Sequence, residues 1–229
     1  MRRTPEVGLM MATMTTEREA ERLTRGAGRS LDASRAFALA FVAAAALLLP
    51  PASGPAFGMT VQEAYDATDG RPHTDIDLKI PGFSHAEAVY LTRLFDLVDL
   101  AIIEKTQTWL WFQSEGKKGA SFRDSQARVD RLIVELAALE TPSRLAGVQR
   151  LMVEAVREQR GFFAAWQEAF DMSERGEDNR QVHQARGRLM QSSSAKLHAA
   201  HDELLALFPA AGRQNLRAFY DHLCVLDLL

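Results

Sequence analysis

Apolar residues recur at helical spacing through most of this chain, and one stretch breaks the pattern with strand-like alternation. Leu91, Leu94, Phe95, Val98, Ile102, Trp109 and Phe112 follow one another at intervals of mostly three, four and seven, which puts them on one face of a helix. Ser84 and Glu87 have capping-box spacing at its start, and Gly116 and Gly119 break it. A second stripe runs through Phe122, Val129, Leu132, Ile133, Leu136 and Leu139 behind Ser121 and Asp124. The third and cleanest stripe is Leu145, Val148, Met152, Val156, Phe163, Trp166 and Phe170. It begins at Thr141-Pro142, where a first-turn proline sacrifices no hydrogen bond, and ends at Gly176.

A fourth helix carries Val182, Leu189, Leu197, Leu204 and Leu207 as far as Pro209. Glu177-Asp178 set negative charge at its start, where the helix dipole favours it. A shorter fifth holds Leu216, Phe219, Tyr220 and Leu223. Long rods with short connections predict an all-α fold, an up-down-up-down four-helix bundle with a short fifth C-terminal helix, over residues 84–229. Residues 59–83 precede it. Met59 to Asp69 suits a short helix, while Ile76, Leu78 and Ile80 alternate within the glycine- and proline-punctuated stretch Gly70–Phe83. A single strand has no partner in such a chain, so this stretch reads as an extended N-terminal arm laid over helices.

Residues 1–58 are of another kind. Ala36 to Leu49 is an uncharged apolar run, stopped by Pro50-Pro51 and preceded by Arg22, Arg25, Arg29 and Arg35. It is short for a membrane span, which takes about 20 apolar residues, and within the roughly 7–15 of a signal-peptide core. A signal peptide with a long basic leader, cut after Gly58, predicts a periplasmic or secreted protein. An uncleaved run would act as a short anchor, giving the chain its only expected contact with a membrane.

Charge and composition narrow the class. The 229 residues are 47% hydrophobic and 25% charged, which suits a globular protein rather than a disordered or collagen-like one. The leader holds seven of the arginines against five acidic residues, so residues 59–229 are more acidic than the net charge of −3 implies. That argues against a nucleic-acid partner. Cys224 is the only cysteine, so no internal disulfide forms. No phosphate loop, Gly-x-Ser-x-Gly elbow, His-Glu-x-x-His helix, Glu-x-x-His pair or haem motif is present, so catalysis is not expected and no cofactor is implied.

Three surfaces remain as candidates. Leu100, Ile103, Leu110 and Trp111, with Val89, project away from the main seam of the first long helix. A second apolar face needs a cover, either the arm or fifth helix of this chain, or a protein partner or second copy. Trp109, Phe112, Phe163 and Trp166 should meet at one end of the bundle, as core filling or as an apolar pocket. His198 and His201, three residues apart, offer a weak zinc or copper site beside Asp202 and Glu203, with His85 expected at the same end. The expectation is an exported, non-enzymatic helical-bundle protein that binds a protein partner, an envelope surface or itself. The alternative is a periplasmic carrier of a small apolar ligand or a metal.

Overall fold

The computed structural model describes residues 59–68, 70–79, 82–114 and 120–227. The leader, its apolar run and the cut after Gly58 lie outside the described residues, as do Gly116 and Gly119. Six α-helices, and no strand, are present among the described residues: α1 (Val61–Thr68), α2 (His85–Gln113), α3 (Ala120–Ala138), α4 (Ala146–Glu174), α5 (Arg180–Leu207) and α6 (Gly212–Asp227). No described helix is long and apolar enough to cross a membrane.

The punctuation works as local chemistry demands. Ser84 caps α2, with both halves of the capping box formed: the Glu87 amide donates to Ser84 Oγ and the Ser84 amide to Glu87 Oε2. Pro142 leads not directly into α4 but into a single 3₁₀ turn, Ser143–Leu145, from which α4 continues. Gly176, at φ +71°, takes the left-handed conformation that closes α4, and the Glu177 amide reaches back to the Met172 carbonyl.

Paired residues give the helix directions. Ser193 Oγ donates to the Ala155 carbonyl and Asn179 Nδ2 to that of Ala169, so α4 and α5 run antiparallel in close register. Arg160 to Asp130 with Gln149 to the Leu136 carbonyl sets α4 antiparallel to α3, and Arg128 to Glu104 with Thr108 to Ser125 sets α3 antiparallel to α2. The final helix differs. Phe219 stacks on Phe95, and Lys105 Nζ donates to the carbonyls of Val225 and Leu226, so α6 runs parallel to α2. It also packs on α5, and α1 packs on α2. The main core gathers Leu91, Leu94, Val98 and Ile102 of α2 with Leu136, Val148, Met152, Leu197, Leu204, Phe219 and Leu223.

Successive residues on a helix point about 100° apart, and α2 uses this to reach two neighbours with adjacent charges. Buried Glu104 accepts from Arg128 and Ser125 of α3, while buried Lys105 turns to the C-terminal carbonyls of α6. Burial pulls the Lys105 amine down to about 7, against the pull of Asp227 and Cys224.

An unfolded lysine keeps its proton to about pH 10. Between about pH 7 and 10 the unfolded chain therefore holds the extra proton, and stability rises with pH. The unfolding midpoint is expected to climb from about pH 7 to pH 9 in the native chain, and the climb to vanish in Lys105→Met. A midpoint that falls over this range contradicts the assignment.

Candidate metal centre

Asp99 sits four residues after Phe95 and three before Ile102, on the buried side of α2, and is only partly accessible. Three rings converge on its carboxylate. Tyr65, wholly buried on α1, donates from its hydroxyl to Asp99 Oδ1 at 3.3 Å. His73 Nε2 lies 2.9 Å from Asp99 Oδ2, and His222 Nε2 of α6 lies 3.4 Å from Oδ1. The imidazoles touch edge to face, with centroids 5.0 Å apart. Phe95 closes the inner side against His222 at 4.7 Å.

Each ring is aimed by what holds its far side. His222 Nδ1 donates to the Ala218 carbonyl at 2.7 Å, one helical turn back. That bond assigns the proton to Nδ1 and leaves the Nε2 lone pair facing Asp99. His73 Nδ1 faces Asp75 Oδ1 at 3.5 Å, while the 2.9 Å hydrogen bond to Asp99 Oδ2 makes Nε2 the donor there, with a proton that a bound metal ion would displace. His73 lies on the strap that follows α1. Gly70 turns the chain at φ +65°, and Gln62 Oε1 accepts from the His73 amide. Further along, Thr74 Oγ1 donates to Asp221, and Asn215 exchanges two hydrogen bonds with the backbone of Asp77. Burial, reinforced by the Asp99 charge, pushes the Tyr65 hydroxyl far above the ordinary tyrosine range, which keeps it a neutral donor.

His73, Asp99 and His222 thus present three ligating atoms within 4.8 Å of one another. Two imidazole Nε2 atoms and a carboxylate form a borderline donor set that suits zinc, copper, nickel or iron. Metal-bound histidines commonly donate their other ring N–H to a carbonyl or carboxylate, as these two rings are placed to do. Three protein ligands leave a coordination position for water or a small ligand. This is the one such three-residue group among the described residues.

The residues singled out by pattern fall elsewhere. His198 is largely exposed, with Nε2 3.3 Å from Asp227 Oδ2. His201 lies edge-on to Tyr220, and burial lowers its pKa. Both line an open pocket of about 240 Å³ with Cys224 and Asp227, whereas His85 lines a different one with Leu78, Phe83 and Val89. The aromatic residues do meet: Phe112 stacks on Trp166 at 4.7 Å, Trp109 lies 5.4 Å from Trp166, and Phe112 and Phe163 are buried in a cluster separate from the main core. On the far side of α2, Ile103 is only 7% exposed and belongs to the main core. Trp111 stacks on Phe122 of α3, while Leu100 and Leu110 remain exposed.

Sequence reasoning passed over the centre although two of its members carry a signal. Asp99 and His222 are titratable residues at buried helical registers, and polar residues there require partners. His73, on a non-helical strap, has no periodicity to mark it. Comparison with known proteins finds no family model, curated protein or solved structure that matches this chain. The fold and site define a helical protein with a His-Asp-His centre, and its reading rests on that geometry.

Asp99→Asn keeps the shape and removes the charge that accepts from Tyr65 and His73 and faces His222. Hydrogen bonds to charged groups are worth about 1.5–3 kcal/mol each, so the variant is expected to lose about 2 kcal/mol in urea unfolding. An unchanged midpoint would mean that the carboxylate does not organise this cluster.

Proposed function

We propose that the chain is an exported, non-catalytic helical-bundle protein that binds one divalent transition-metal ion through His73, Asp99 and His222. In this reading α2–α5 form the up-down-up-down frame, α6 is the added fifth helix, and residues 59–83 are the arm that brings His73 to the site. The observation that carries it is the convergence of two Nε2 atoms and one carboxylate within 4.8 Å, with each imidazole's Nδ1 facing an oxygen acceptor. The apolar run Ala36–Leu49 behind four arginines supports delivery to the periplasm or the exterior. The metal alternative expected at His198 and His201 moves to a different trio.

Titration of the full chain with Zn²⁺ against a chromophoric chelator is expected to give one equivalent bound. His73→Ala, Asp99→Ala and His222→Ala should each weaken binding at least about tenfold, judged against the 10–100-fold lost even on removing outer-shell partners. His198→Ala with His201→Ala should leave it unchanged. Failure of the native chain to compete with the chelator, or equal affinity in all variants, rules the reading out.

Exposed Val89, Leu100 and Leu110 on α2 support a second reading, in which this face meets a partner protein or another copy of the chain. Light scattering of the full chain should then report a dimer that Leu100→Ser with Leu110→Ser converts to monomer. A native monomer that recovers no partner from envelope extracts would sink this reading.

A further inference from the structure

Resting on the metal reading, we propose that the ion is a latch: its binding is coupled to docking of the strap, residues 70–79, on α2 and α6. The three ligands come from three separate elements, and only His73 lies outside a helix. Asp99 and His222 are already set side by side, because α2 and α6 pack through Phe95, Phe219 and Lys105. Seating the ion therefore requires little of the helices and one specific placement of the strap.

The strap is otherwise lightly held. No residue from Gly70 to Lys79 is fully buried, and Leu78 is 46% exposed. Beyond the turn at Gly70, its backbone hydrogen bonds run to side chains: Gln62 takes the His73 amide, Gln214 reaches the Asp75 carbonyl, and Asn215 holds both polar groups of Asp77. Thr74 donates to Asp221, Arg71 lies over the Tyr220 ring at 5.1 Å, and Ile76 packs on the core. Segments with few buried contacts and no ladder open locally at low cost. A metal bond at His73 would fix the side chain of the residue whose amide Gln62 holds, ahead of the Asn215 anchor at Asp77.

The coupling works in both directions. An ion that requires the docked strap slows its opening. Equally, any change that weakens docking weakens the ion's apparent affinity, because the competent state is less populated. The second consequence separates a latch from a preformed cage, since it reaches residues that ligate nothing.

The test uses the full chain. Hydrogen exchange read by mass spectrometry, with and without one equivalent of Zn²⁺, is expected to slow at least about tenfold over residues 70–79 and to stay unchanged in the middle of α4. Asn215→Ala and, as a change at a part-buried strap residue outside the apolar core, Thr74→Val retain all three ligands and should bind Zn²⁺ about tenfold more weakly. Zinc bound with no added protection of the strap, or full affinity in folded Thr74→Val, overturns the latch while leaving the metal site standing. No zinc bound by the native chain overturns both.

Discussion

A carboxylate on the buried side of a long helix has to be answered by polar partners, and in this protein those partners are far away in sequence. Asp99 draws Tyr65 from α1, His73 from the strap and His222 from α6, and in doing so specifies where each of those elements must lie. An isolated charge removed from water is costly, so the partners are part of the fold and not additions to it. The N-terminal segment and the last helix, which also hydrogen-bond through Thr74, Asp75 and Asp77, meet α2 at this residue.

The same logic organises the rest of α2. Its apolar seam packs inward on the core, and the polar residues at neighbouring registers select its neighbours. Glu104 binds Arg128 and Ser125 of α3, Thr108 meets Ser125, and Lys105 closes on the C-terminal carbonyls of α6. Apolar contacts are not directional, whereas these bonds fix register and order. They explain how α6 comes to run beside α2 in parallel, alongside an antiparallel α5.

The long helices were readable because each repeats its apolar positions many times and is bounded by residues with local chemistry: Ser84, Pro142, Gly176 and Pro209. The meeting of Trp109 and Phe112 with Phe163 and Trp166 followed from the same stripes, because short connections leave few arrangements for such rods. The centre was not readable in this way. His198 and His201 drew notice through their spacing on one helix, but that spacing only sets two side chains on one face. It supplies no third ligand. Ile103 drew notice as part of a second apolar face, and it lies in the main core.

What the sequence by itself determined was whatever depends on neighbours within a few turns: the helices, their caps, the aromatic stripes and the unlike character of residues 1–58. The tertiary structure alone decided the position of α6 against α2, the path of the strap and the convergence of His73, Asp99 and His222. These ligating atoms lie within 4.8 Å although their residues are 26 and 149 positions from His73 along the chain. No periodicity extends across such separations. Only the closing of the chain around a part-buried carboxylate brings them together.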